Sequence, residues 1–285
     1  MACHTSLVPQ EAAGLRVDAY LNRYAPEIPP AVVMMIFRRR DVKVDGVRVR
    51  QDTRLRAGST VQAYYMETEA APLSVVYEDA DVLLLDKRAG MSVLPDGGAG
   101  LSLLACAEKH VGAPVYPVHR LDHQTCGLVL MAKTHEAEAV LLDCFRSRSL
   151  DKRYLCLVRG RMKPPAATCE AFLLKDADAA RVRILDRQAA DAKPITTAYE
   201  TIETNDAGSI SRLRVHLITG RTHQIRAHLA ALGHPLLGDE VYGDHAFNRL
   251  HRARRLMLCA YSLSLDTHGA LPQLDGRTFY AECPF

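Results

Sequence analysis

The feature that most constrains this chain is a change of pattern near Leu73, where a helical and hairpin region gives way to a longer, strand-rich one. Before that point, residues 15–24 and 31–39 have helical spacing, and alternating strands follow them. After it, apolar runs of strand length dominate. A chain of 285 residues can hold two unequal domains. We therefore predict an α+β protein with a small α/β domain at 14–67, a linker at 68–73 and a large domain at 74–285.

The small domain contains a hairpin signal. Residues 42–44 and 47–49 alternate in polarity on either side of Asp45-Gly46, a pair suited to the positive φ of a two-residue turn. The order helix, helix, basic hairpin resembles the small RNA-binding domain first described in a ribosomal small-subunit protein. By that resemblance Arg38 and Arg39 contact phosphate groups. The glycine usual before the hairpin in that family is absent, and Arg40 stands in this region.

Basic side chains cluster in two segments, although the net charge is only +3. Residues 38–56 hold eight basic against three acidic side chains, and residues 249–255 hold four arginines and no carboxylate. Such clusters fit contacts with phosphate groups. A solvated surface is the alternative interpretation of either cluster taken alone.

A carboxylate stands at the entrance of the most apolar segment. Residues 126–132 form a continuous apolar run, which suits a strand buried on both faces. Asp122 closes a His-Arg-Leu-Asp stretch in the loop before it, at the predicted mouth of a sheet. Taken by itself, an aspartate in this place is more often a turn acceptor or a capping group.

Three segments match one family in the same order. The stretch VHRLDHQTCGLVLMAKT around Asp122 closely resembles the catalytic motif of the large-subunit ribosomal RNA pseudouridine synthase family. The segment DKRYLCLVRG from Asp151 resembles the second motif, and TGRTHQIRAHLAALGHPLLGDEVYG from Thr219 the third. The resemblance implies a large mixed, mostly antiparallel sheet of pseudouridine-synthase type. It also implies an isomerase that converts specific uridines of structured RNA to pseudouridine.

The resemblance further implies roles for individual side chains. Asp122 is expected to be the nucleophile, Tyr154 to stack on a flipped base and help to remove its carbon 5 proton, and Arg226 to pair with Asp122. A carboxylate nucleophile must carry its charge in a dry pocket, and a guanidinium at contact distance favours the charged form. No cofactor is expected.

The RNA-binding residues expected near this site are Arg120, Arg221 and His223. Arg120 resembles the family residue that fills the space vacated in the RNA stack. In the third motif, Thr222 suits the N-cap of a helix that ends before Gly233. That helix is predicted to bury one stripe of side chains, and Arg226 to project beside the stripe toward a pocket edge while Arg221 precedes the helix. The predicted stripe consists of Ile225, Leu229 and Leu232.

Histidines and cysteines do not predict a metal site. His223 and His228 are five residues apart, and no His-x-x-x-His pair encloses a glutamate. The eight cysteines lack zinc-ligand spacing and a disulfide framework. No apolar run approaches the ~18 residues that cross a bilayer. We therefore predict a cytoplasmic protein without metal or membrane contact, and a monomer because no exposed apolar stripe stands out.

Alternative hypotheses stay open at this point. One is a non-catalytic RNA-binding or ribosome-assembly factor, and another is the same chemistry on transfer RNA. A metal-dependent RNA hydrolase built on the histidines would instead cleave RNA and lose activity with a chelator. The N-terminal domain favours large-subunit ribosomal RNA as the partner.

Overall fold

The computed structural model describes residues 2–25, 28, 30–65, 73–95, 102–147, 149–176 and 181–285. The chain divides into two compact units, one of residues 1–72 with 94–106 and one of residues 73–93 with 107–285. The predicted linker at 68–73 lies outside the described residues except for Leu73. Within the described ranges, no helix has the length and apolar character needed to cross a bilayer.

The first unit is a small sheet with two helices. Its elements are β1 (Ala2–Leu7), a 3-10 helix (Gln10–Ala12), α1 (Val17–Tyr24), α2 (Pro30–Arg38), β2 (Val42–Val44), β3 (Val47–Arg48) and β4 (Thr60–Tyr65). The strands are antiparallel in the order β1-β4-β2-β3. Both predicted helices and the hairpin are confirmed, whereas β1 was not predicted. Val17 and Leu21 of α1 share one buried core with Val42 and Val61 of the sheet.

Positive φ angles occur on both sides of β2. Asp45 (φ 50°) and Gly46 (φ 80°) form the predicted turn. Arg40 (φ 61°) has the left-handed conformation two residues before β2, which glycine adopts more easily than arginine.

The second unit contains an eleven-stranded sheet. Its strands are β5 (Val75–Glu78), β6 (Val82–Lys87), β7 (Tyr116–Pro117), β8 (Cys126–Ala132), β9 (Leu150–Arg159), β10 (Ala166–Asp176), β11 (Arg181–Leu185), β12 (Lys193–Thr204), β13 (Ile210–Leu217), β14 (Leu258–Leu265) and β15 (Thr278–Tyr280). The helices of residues 102–285 are α3 (Leu103–Val111), α4 (His135–Ser147), α5 (Gln224–Ala231) and α6 (His245–Leu250). The main path is β11-β10-β12-β13-β9-β14-β8-β6-β5, with β15 on β14 and β7 on β8.

The predicted mixed, mostly antiparallel sheet is confirmed. Only β8 and β14 pair in parallel among the described strands, with Gly127 opposite Ala260. Every residue of β8 is buried, as its apolar run predicts. Gly127 has φ 108°, and a side chain there would overlap the backbone carbonyl of Ala260, so the close approach of the two strands requires glycine.

The loop that precedes β8 is fixed by buried polar groups. The amide of Thr125 donates to the Asp122 carbonyl over 3.0 Å. The Nζ of Lys87 donates to three carbonyls, those of Arg88, Met91 and His123, at 2.8–3.3 Å. Burial lowers the pKa of Lys87 to about 8. The loop that carries Asp122 is therefore held in place by hydrogen bonds from Thr125 and from Lys87.

Candidate active site

Asp122, Tyr154 and Arg226 line one cavity of about 320 Å³ in the second unit. The three side chains come from the loop before β8, from β9 and from α5. The structure therefore brings together the three residues that sequence reasoning named as catalytic. His119 and Lys152 also line the cavity.

Arg226 is shared between two carboxylates. Its Nε and Nη2 donate to Oδ2 and Oδ1 of Asp239 over 2.7 and 2.9 Å, which is a bidentate pair. Its Nη1 lies 3.4 Å from Oδ2 of Asp122. Burial opposes the charge of Arg226, but Asp239 and then Asp122 raise its pKa above the ordinary value. The guanidinium is therefore a fixed cation with one edge committed to Asp239 and one amino group left for Asp122.

Asp239 holds Arg226 from a tight turn. Its side chain is fully buried, and Oδ1 also accepts from the amides of Val241 and Tyr242 over 2.8 and 3.0 Å. Burial alone would raise the pKa of Asp239, but the bonds from Arg226 and the two amides lower it. Asp239 is therefore charged at neutral pH and keeps the guanidinium in one orientation.

His223 approaches Asp122 from another side. Its Nε2 lies 3.7 Å from Oδ2 of Asp122, and its Nδ1 lies 3.0 Å from the hydroxyl of Tyr242. Burial lowers the pKa of His223, so the ring is neutral at neutral pH. Because the Tyr242 hydroxyl accepts from the Val182 amide, it can donate to Nδ1, which leaves a proton on Nε2 facing Asp122.

Two predictions about the start and burial of α5 are wrong. The N-cap is His223, in the left-handed conformation (φ 55°), and not Thr222. The cause is Gln224, whose buried amide accepts from the Arg221 amide and from the Thr219 hydroxyl and so holds the preceding loop. Leu232 is 42% exposed, although Ile225 and Leu229 are buried as predicted. Residues 224–229 are all buried, so α5 is enclosed around its circumference and not along one stripe.

Tyr154 is 7% exposed and faces the cavity from inside β9. Burial first, and then the charge of Asp122, raise its pKa well above the ordinary value. Its hydroxyl is therefore protonated at neutral pH. A neutral phenol offers a stacking face and one polar contact to a bound base.

The predicted RNA-binding residues fall in two places. Arg120 and Arg221 are exposed and line the cavity that contains Asp122, and His223 lies partly buried inside it. Arg38 and Arg39 are exposed in the first unit, at the end of α2.

Sequence reasoning missed the supporting residues Asp239, Tyr242 and Gln224. The available signal was the polar content of the third motif, where Gly-Asp-x-x-Tyr-Gly follows an apolar stretch. A buried aspartate in such a place needs a cationic partner. Over the ranges that the structure describes, no group of three His, Cys, Asp or Glu side chains is placed to hold a metal ion.

Comparisons with known proteins identify the class. Residues 81–231 match the sequence model of the family described as RNA pseudouridylate synthase. The chain is 31% identical to the protein named ribosomal large subunit pseudouridine synthase C of Vibrio vulnificus, over 93% of this chain and 89% of that protein. The corresponding Escherichia coli protein is also 31% identical, over 85% and 80% of the two chains. The chain therefore belongs to the RNA pseudouridylate synthase family, and it is an isomerase acting on RNA.

A solved structure supports the same assignment. Human RNA pseudouridylate synthase domain containing 1 superimposes with a TM-score of 0.61 at 28% identity, over 75% of this chain and 84% of that one. The likeness extends well beyond the three motifs and includes much of the large sheet.

Proposed function

We propose that this enzyme isomerises specific uridines of large-subunit ribosomal RNA, with Asp122 as its nucleophile. The observation that carries the proposal is the 3.4 Å contact between Asp122 and a buried, bidentately held Arg226 beside Tyr154. The names of the relatives, and the likeness of the N-terminal residues to a ribosomal RNA-binding domain, support this RNA over transfer RNA.

The reaction exchanges one bond of uridine for another. The bond between N1 and C1′ breaks, a bond between C5 and C1′ forms, the C5 proton leaves and N1 gains a proton. A carboxylate can assist either by adding to C6 of the ring or by attacking C1′. Both routes release the C5 hydrogen to solvent.

The long contact from Arg226 suits a nucleophile. A guanidinium that formed two short bonds to Asp122 would stabilise its charge so strongly that attack would be slowed. Because Asp239 occupies the bidentate edge, Asp122 has an electrostatic partner yet keeps lone pairs free for the substrate. Arg226 therefore binds and orients the nucleophile.

Tyr154 is proposed to stack on the extruded base. Because the pKa of Tyr154 is raised, its side chain presents a hydroxyl and not a phenolate to the uracil ring. If it takes the C5 proton, it must pass its own proton on in the same step. Arg120 and Arg221 at the cavity are proposed to contact the RNA around the flipped nucleotide, and Arg38 and Arg39 in the first unit are proposed to contact phosphate groups of the RNA.

The proposal is tested with transcripts that carry tritium at C5 of uridine. We expect the enzyme to release tritium from large-subunit ribosomal RNA, at positions that pseudouridine mapping identifies, and not from transfer RNA. Release from transfer RNA alone would show that the proposed substrate is wrong. The absence of release from every RNA tested would show that the proposed activity is wrong. Chelator-sensitive cleavage products would favour the hydrolase hypothesis instead.

A further inference from the structure

A second concave site lies at the end of α6. It has a volume of about 420 Å³, and its lining includes Glu240, Asn248, Arg249, Arg252 and Arg254. Three arginines and a single glutamate therefore line the site, which gives it an excess of positive charge. None of these arginines belongs to the cavity that contains Asp122.

The arginines of this pocket are exposed and uncommitted. Within the described part of the chain, no carboxylate lies within 4 Å of the guanidinium groups of Arg249, Arg252 or Arg254, and no hydrogen bond engages them. The neighbouring Arg255 differs, because its Nη2 donates to the Pro284 carbonyl over 3.2 Å and it does not line the pocket. Arginines that line one concavity and have no carboxylate partner suit the binding of an oxyanion.

Arg252 is held in a conformation that arginine rarely adopts. It follows the C-cap of α6 with φ 51°, in the left-handed region where helices usually have glycine. The backbone there would be relaxed by glycine, yet the residue present is an arginine that lines the pocket. This is the pattern expected where a charged side chain is retained for contact with a ligand.

The pocket wall also holds the segment that positions Arg226. The Asn248 amide accepts from the Gly238 amide over 2.8 Å and donates to the Asp239 carbonyl over 3.1 Å. Gly238 is required because a side chain there would overlap the Arg255 carbonyl. A phosphate group bound at the end of α6 would therefore lie beside the segment that carries Asp239 and, through it, Arg226.

We propose that this arginine pocket binds a phosphodiester of the substrate RNA backbone, at a nucleotide away from the one that is flipped. The inference rests on the proposed function for the identity of the RNA. Phosphate contacts of this kind position the RNA without reading its sequence.

The test uses the double variant Arg252→Gly/Arg254→Ala in the full-length protein. We expect KM for the labelled large-subunit transcript to rise about tenfold while kcat stays unchanged, and the slope of log KM against log salt to fall by about 1. Because glycine relaxes the backbone at residue 252, the melting temperature should be unchanged or higher. Loss of binding without loss of stability is a combination that a structural role would not produce.

Arg255→Ala is the matched control, because it removes one positive charge from the same segment outside the pocket. It should change KM less than twofold. The proposed phosphate site would be wrong if Arg255→Ala and the double variant raised KM equally. It would also be wrong if the double variant left KM and its salt dependence unchanged. If the wild-type enzyme releases no tritium, the proposed function fails, and the dissociation constant for the same RNA still tests the pocket.

Discussion

Arginines occupy two opposite environments in this molecule. In the cavity that contains Asp122, Arg226 is buried and donates to two carboxylates, one of them bidentately. At the end of α6, Arg252 and Arg254 are exposed and lack a partner among the described residues. A buried cation needs a charged partner to offset the cost of leaving water. This pairing fixes the position of the guanidinium before the RNA binds. An exposed cation is free to exchange water for phosphate.

The two environments are joined by one short segment. Gly238 and Asp239 are bound by Asn248 on the side of the pocket, while the Asp239 carboxylate binds Arg226 on the side of the cavity. The comparison separates two kinds of effect. Changes around Arg226 should act on the chemical step and on stability, whereas changes around Arg252 should act on binding alone.

The largest effect is expected from Arg226→Met. It leaves Asp239 buried without its cation, which should reduce the free energy of unfolding by about 3–5 kcal/mol. Tritium release should be lost as well, because Asp122 has lost its orienting partner. Denaturant unfolding and single-turnover release measure the two effects.

A double variant separates stability from chemistry at this position. Arg226→Met/Asp239→Asn removes both charges of the pair and keeps an oxygen that accepts from the amides of Val241 and Tyr242, so part of the lost stability should return. Activity should not return. Recovery of tritium release in the double variant would contradict the role given to Arg226.

A smaller effect is expected from Asp239→Asn, which keeps the shape of the side chain and removes its charge. Arg226 would then be free to turn its bidentate edge toward Asp122, and kcat should fall by about 10- to 100-fold with little change in KM. Glu200→Gln, which removes an exposed carboxylate from β12, is the control. A rise in KM with kcat preserved would place Asp239 in RNA binding instead.

The smallest effect concerns His119, a neutral group of the cavity. Its Nε2 accepts from the Leu130 amide over 3.0 Å, and burial, assisted by Lys152, lowers its pKa to about 3. The unfolded state therefore takes up a proton below a pH of about 6.5 while the folded state does not, so stability falls as the pH drops from there toward 3. The slope should reach at most about 1.4 kcal/mol per pH unit.

His119→Gln tests this assignment, because the glutamine side chain reaches as far as Nε2 and its oxygen can still accept from the Leu130 amide but does not titrate. Unfolding free energies at a pH of about 7 and about 5 should differ less in the variant than in the wild type. Equal differences in the two proteins would mean that His119 is not the titrating group.

Local pattern predicted the elements that carry the chemistry. The apolar run of β8 predicted the burial of that strand on both faces, whereas the role expected of Asp122 came from the resemblance to the family and not from its place before the strand. The helix that carries Arg226 was also predicted, and Gly233 marked where it ends but not where it begins. These features depend on neighbours in sequence, so they are visible without a structure.

Features that depend on distant residues were missed. The start of α5 is set by Gln224, whose amide also bonds to the Thr196 carbonyl and Thr197 hydroxyl of β12. The pairing of Asp239 with Arg226 requires the turn after α5 to fold back over thirteen residues. The preference of threonine for the N-cap position at Thr222 was therefore overridden by these tertiary hydrogen bonds.

The measurement that tests the account most directly compares Asp122→Asn with the wild type on one labelled large-subunit transcript. We expect Asp122→Asn to bind the transcript with a dissociation constant within about threefold of the wild-type value, since asparagine keeps the shape of the side chain, and to release no tritium. Release at the wild-type rate from Asp122→Asn would show that another group attacks the nucleotide.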